Sequence, residues 1–121
     1  MKVSPLGKTW ILDLDGTIVK HNGYKTDGRD SFLPEAKEYL ERIPDTDMII
    51  FITSRKKEYG QATEMFLKDN GVHFNYIIYD APYGERIVVN DKKPSGLAMS
   101  IAVNTNRDEF GIPEFEVDAS L

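Results

Sequence analysis

Three short apolar runs in this chain each end on a polar cluster, and that repetition constrains the fold more than any other feature. Trp10-Ile11-Leu12 runs into Asp13 and Asp15, Met48 to Ile52 into Thr53-Ser54-Arg55, and Ile87-Val88-Val89 into Asn90-Asp91. Met48 to Ile52 is continuously apolar, as a central strand buried on both faces would be. Between the first two runs, Ala36, Tyr39, Leu40 and Ile43 recur at helical spacing, entered at Pro34 and stopped by Pro44-Asp45. After the second run, residues 55–70 read as a helix with Tyr59, Ala62, Thr63 and Phe66 on one stripe, stopped by Asn70-Gly71. Tyr76-Ile77-Ile78-Tyr79 and Met99 to Val103 read as further strands. Strands alternating with helices predict an α/β domain in three layers: a mostly parallel sheet of about five strands with flanking helices. One link is anomalous. Only Asp80 to Glu85 joins the third and fourth strands, and a parallel crossover usually needs a dozen residues or more. Either this link runs back extended along the sheet or the third strand is an antiparallel edge.

The 121 residues suit one domain, and a 40% hydrophobic content supplies one core. The net charge of -5 argues against non-specific nucleic-acid binding, which needs basic surface. The absence of cysteine removes disulfide and thiolate chemistry, and His21 and His73 are too few for a histidine-rich zinc site. Met1-Lys2-Val3-Ser4-Pro5 is not followed by an apolar signal region, and no run approaches a membrane span, so the expected compartment is the cytoplasm. Residues 14–32 carry Gly16, Gly23 and Gly28 among many polar groups and read as a long loop, which a compact domain rarely keeps without a use.

Ligands of open parallel sheets bind outside the carboxyl ends of the strands. Strands reaching one edge would therefore gather Asp13, Asp15, Thr53, Ser54 and Asp91. Three carboxylates at one point repel unless a cation sits among them, and hard oxygen donors suit magnesium together with a substrate phosphate. A hydroxyl and backbone amides at a helix start suit the phosphate. The expected chemistry is metal-assisted attack on a phosphoryl group. Taken singly, each cluster has a plainer reading: a turn or cap for Asp-x-Asp, a helix cap for Thr53-Ser54, and a turn for Asn90-Asp91 before Pro94.

Trp10-Ile11-Leu12-Asp13-Leu14-Asp15-Gly16-Thr17-Ile18 resembles the first motif of the haloacid dehalogenase-like superfamily. Ile50-Phe51-Ile52-Thr53-Ser54-Arg55 resembles its second, and Val88-Val89-Asn90-Asp91-Lys92-Lys93-Pro94 a form of its fourth. The resemblance covers residues 8 to about 104 and implies a Rossmann-like phosphatase. It implies that Asp13 attacks phosphorus to give an aspartyl-phosphate, while Asp15 acts as the acid and then the base. It also implies that Asp13, the Asp15 backbone carbonyl and Asp91 hold Mg2+, with Asn90 beside them, and that Thr53 and Ser54 bind the phosphoryl group.

The sequence departs from the family pattern twice. Asn90 stands where the fourth motif usually has its first acid. The helix that carries the third-motif lysine is missing, which leaves Arg86 as the nearest candidate and Lys92 as the next. Neither gap between motifs is long enough for a cap domain, so a capless member is implied, with a neighbouring subunit as one source of a lid. Lys20, His21 and Lys25 in the 18–32 loop are the expected substrate-facing cations. The implied partner is a small phosphorylated metabolite, a sugar phosphate ahead of a nucleotide monophosphate, and no nucleic acid or membrane is implied. The catalytic domain is expected to span 1–106. An acidic tail over 107–121 is expected either to drape over it or to lie partly disordered. A weakly active module that binds metal and a phosphorylated ligand is the alternative function.

Overall fold

The structure is a computed structural model describing residues 1–121. Its central sheet has three parallel strands in the order β2-β3-β4, namely Thr9–Leu12, Met48–Ile52 and Tyr76–Ile78. Trp10 lies opposite Ile49, and Phe51 opposite Ile77. A separate two-stranded parallel ladder joins the chain ends, Lys2–Val3 (β1) with Glu116–Val117 (β5). The helices are α1 (Gly23–Thr26), α2 (Ala36–Glu41) and α3 (Gly60–Asp69), the last preceded by a 3-10 turn at Lys57–Tyr59. The architecture is thus α/β with parallel sheets. No helix is long and apolar enough to cross a membrane.

The core forms on one face of the sheet because β side chains alternate and α2 and α3 cover that face. Leu12, Ile49 and Phe51 are buried there with Leu14, Ile18, Val19, Leu33, Ala36, Tyr39, Leu40, Ile43, Leu67 and Val72. Of the expected stripe, Ala36, Tyr39 and Leu40 on α2 and Ile43 just past its end are all buried. On α3 the buried residues are Gly60, Thr63 and Leu67, while Ala62 is exposed and Phe66 half-buried. The other face of the sheet is open: Ile11 is 49%, Tyr76 59% and Ile78 50% exposed. The strand β3 is central in order but buried on one face only.

Two polar side chains, buried Asp47 and exposed Asn75, fix the strand ends. The Asp47 carboxylate accepts the Lys8 N–H at 3.0 Å and the Trp10 indole N–H at 3.0 Å, joining β2 to the turn before β3. The Asn75 side chain accepts the Ile49 N–H at 2.8 Å, at the start of β4. A buried polar group must be paired to be tolerated, so the Asp47 contacts also set strand position.

Several expectations are corrected here. The third strand is parallel, not an antiparallel edge. Ile87-Val88-Val89 and Met99 to Val103 form no strand. Their apolar side chains are exposed, with Ile87 at 86% and Val89 at 89%. The short link explains it. Asp80 adopts φ 58, the chain turns off β4, and the eight residues between Ile78 and Ile87 cannot carry it back along the sheet to start another parallel strand. Helix α2 begins at Ala36 rather than Pro34, because Glu35 adopts a left-handed φ of 73. The 14–32 loop contains α1 and two bridges, Asp15 to Val19 and Val19 to Phe32.

The 107–121 segment drapes over the body. Phe110 and Ile112 pack against the core, and Phe115 meets Trp10 edge-on at 5.8 Å between centroids. The Tyr39 hydroxyl donates to the Pro113 carbonyl at 3.3 Å.

Candidate active site

Asp13 is the first residue past β2, and the loop that follows is built to hold it. Leu14, Ile18 and Val19 are buried, so alternate side chains of the motif anchor in the core while Asp13, Asp15 and Thr17 face outward, half-buried. The Leu14 carbonyl accepts N–H bonds from Thr17, Ile18 and Val19 at 3.2, 2.9 and 3.1 Å. Gly16 closes the turn at φ +83, a conformation that costs a residue with Cβ about 1–2 kcal/mol. The Thr17 hydroxyl donates to Asp13 Oδ2 at 2.9 Å, and Arg86 Nη1 donates to Oδ1 at 3.1 Å. Arg86 therefore meets Asp13 although no helix delivers it.

Asp15 has a different environment. Arg55 Nε donates to Asp15 Oδ2 at 2.9 Å and Nη2 to Oδ1 at 3.0 Å. The same guanidinium donates to Asp30 through Nη1 at 2.8 Å and Nη2 at 2.6 Å, and to the Thr63 hydroxyl at 3.0 Å. All five of its N–H groups are thereby used. The Tyr24 ring lies 4.0 Å from its central carbon. The Arg55 side chain is 2% exposed and that of Asp30 6%. Burial works to lower the arginine's proton affinity, but the hydrogen bonds and charges of Asp30 and Asp15 outweigh it and push it above the usual arginine range. Arg55 is thus spent on structure: it ties the Asp15 carboxylate to α3 and to the 20–30 loop. The sequence reading assigned no role to Arg55 or Asp30. An Arg directly after Thr53-Ser54, with aspartates at 27 and 30 in the preceding loop, is the only signal for them in the sequence.

Thr53 is buried at the end of β3, and its hydroxyl oxygen accepts the Arg55 N–H at 3.1 Å. It shapes the turn after β3 rather than capping α3, which starts later. Ser54 donates weakly to the Pro82 carbonyl at 3.4 Å. Asn90 and Asp91 lie exposed on coil, with the Asn90 amide donating to the Asp91 carbonyl at 3.0 Å, and Lys92 is exposed. In the loop, Lys20 pairs with Asp27 at 2.8 Å, and Lys25 lies 5.6 Å from the Tyr24 ring centroid. The His21 N–H donates to Asp108 Oδ1 at 2.7 Å.

These positions bear on a metal ion. No group of three or more acidic or histidine side chains is arranged to hold one. The Asp13 carboxylate already has an arginine and a hydroxyl, the Asp15 carboxylate has Arg55, and Asp91 is held elsewhere on coil without joining them. The donor set implied for Mg2+ is not assembled, because the segment carrying Asn90 and Asp91 is not a sheet strand and so is not brought to the edge where Asp13 stands.

No family model matches the chain, and no curated protein matches it. Among solved structures it resembles a chain of the Pnkp1/Rnl/Hen1 RNA repair complex, at TM-score 0.53 and 24% identity over 71% of its own residues. It spans 30% of that chain's length. The likeness concerns the fold.

Proposed function

We propose that this chain is a capless, Rossmann-like member of the haloacid dehalogenase-like superfamily that hydrolyses a small phosphate monoester. A sugar phosphate is the favoured substrate and a nucleotide monophosphate the next. The observation that carries the proposal is the placement of Asp13: a carboxylate at the carboxyl end of β2, on a loop anchored by three buried residues, with a cationic side chain against it.

In this reading an Asp13 oxygen attacks phosphorus and the ester P–O bond breaks. The leaving oxygen takes a proton from Asp15. Asp15 then accepts a proton from a water whose oxygen attacks phosphorus, the P–O bond to Asp13 breaks, and inorganic phosphate leaves with Asp13 restored. To reach the leaving oxygen Asp15 must turn from Arg55, and Asp30 keeps that guanidinium paired while it does. Arg86 offsets phosphoryl charge beside Asp13. Magnesium enters through the resemblance, and no step here is routed through it.

Purified protein with magnesium is expected to release phosphate from an aryl phosphate or a sugar-phosphate panel, and Asp13→Asn to abolish release. Full activity in Asp13→Asn would sink the mechanism. The unassembled Asp13, Asp15 and Asp91 set supports a second reading, a module that binds a phosphorylated ligand with little turnover. Phosphate binding without release from any substrate would favour it.

A further inference from the structure

Arg107 belongs to the 107–121 segment, yet it packs on the loop that carries Asp13. Its Cγ lies 3.2 Å from where a Cβ on Gly16 would sit. Two bonds from the next residue hold it there: the Asp108 N–H donates to the Gly16 carbonyl at 2.8 Å, and the Asp108 carboxylate accepts the His21 N–H. Asp108 adopts φ 62 to make both. A non-glycine residue in that conformation is uncommon, and it persists only where surrounding contacts over-determine it.

Arg42, Arg55 and Arg86 each have a carboxylate partner, whereas Arg29 and Arg107 are in no ion pair, and Arg107 is the one seated against Gly16 of the Asp13 loop. Two of the loop cations, Lys20 and Lys25, are already engaged. Lys20 is in an ion pair, Lys25 lies against Tyr24, and the His21 backbone is bonded to Asp108. An exposed guanidinium, anchored by its stem beside a catalytic loop, is suited to recognise a phosphate or carboxylate through paired N–H donors.

We propose that Arg107 is a specificity-determining residue that binds a second anionic group of the substrate, with Asp108 as its positioning residue. The inference rests on the phosphohydrolase reading and narrows its substrate class to phosphate monoesters carrying a second phosphate or carboxylate.

Calorimetric binding to the full chain tests it without needing turnover, with glucose 1,6-bisphosphate and glucose 6-phosphate as probes. The unaltered protein is expected to bind the bisphosphate at least tenfold more tightly. Arg107→Ala is expected to lower that ratio about tenfold, and Arg107→Lys to restore part of it. Asp108→Gly keeps the backbone conformation accessible and removes the carboxylate, and it is expected to lower the ratio as well. No preference for the bisphosphate in the unaltered protein, or a ratio unchanged in Arg107→Ala, overturns the inference. Failure of phosphate release with the ratio behaving as stated overturns the hydrolase reading instead and leaves the anion site in place.

Discussion

Arg55 grips Asp15 with two hydrogen bonds, at 2.9 and 3.0 Å, while a second aspartate, Asp30, takes two more from the same guanidinium. One buried side chain thereby links the loop of the candidate acid–base residue to α3 and to the 20–30 segment. Removing one partner of a buried ion pair leaves the others charged and uncompensated, at a cost of about 3–5 kcal/mol.

Arg55→Met is therefore expected to destabilise the protein by about 3–5 kcal/mol in urea unfolding. Arg55→Lys is expected to recover little of that loss, because an ammonium cannot serve two carboxylates as a planar fork does. A midpoint unchanged in both variants would show the triad to be without structural weight.

Arg86 is the one cation against Asp13, and its side chain is 38% exposed, so folding depends on it little. Arg86→Ala is expected to lower kcat on an aryl phosphate about 100-fold, the scale of losing one charge-stabilising donor, with the melting temperature nearly unchanged. Equal kcat in the two proteins would remove Arg86 from the phosphoryl site.

Gly16→Ala meets two obstacles, the left-handed backbone and the Arg107 stem. The backbone term alone is expected to cost about 1–2 kcal/mol. Displacement of Arg107 would also lower the preference for the bisphosphate probe, so both readouts should move together. Loss of stability with that preference intact would place Arg107 away from the ligand.

Tyr79 gives a stability effect at high pH. Burial first, then the charge and hydrogen bond of Glu64, push its phenol up to about 12. Folding favours the neutral phenol, so its contribution is fully present below the ordinary tyrosine pKa of about 10 and is lost as pH rises towards 12. Burial also raises Tyr39, so absorbance titration should show more than one tyrosine ionising late, and Tyr79→Phe should remove the part that titrates towards 12. Uniform ionisation of all tyrosines near 10 would contradict it.

The three strands and two main helices of the body were legible because each depends on local pattern. Met48 to Ile52 is apolar without interruption, and Ala36, Tyr39, Leu40 and Ile43 share one helical face whatever lies around them. Asp13 was legible for the same reason, as the polar residue that ends an apolar strand. Ile87-Val88-Val89 has the same composition and forms no strand. A ladder needs a neighbour in reach, and the eight-residue link after β4 does not supply one.

By itself, then, the sequence determined the parallel α/β body and the loop that presents Asp13, since both follow from short-range periodicity and turn chemistry. Only the tertiary structure decided which charges meet. Arg55 with Asp30, Arg86 with Asp13 and Asp108 with Gly16 are contacts between residues 25, 73 and 92 positions apart. No local pattern encodes them, because pairing of distant side chains depends on where packing of the core brings the backbone.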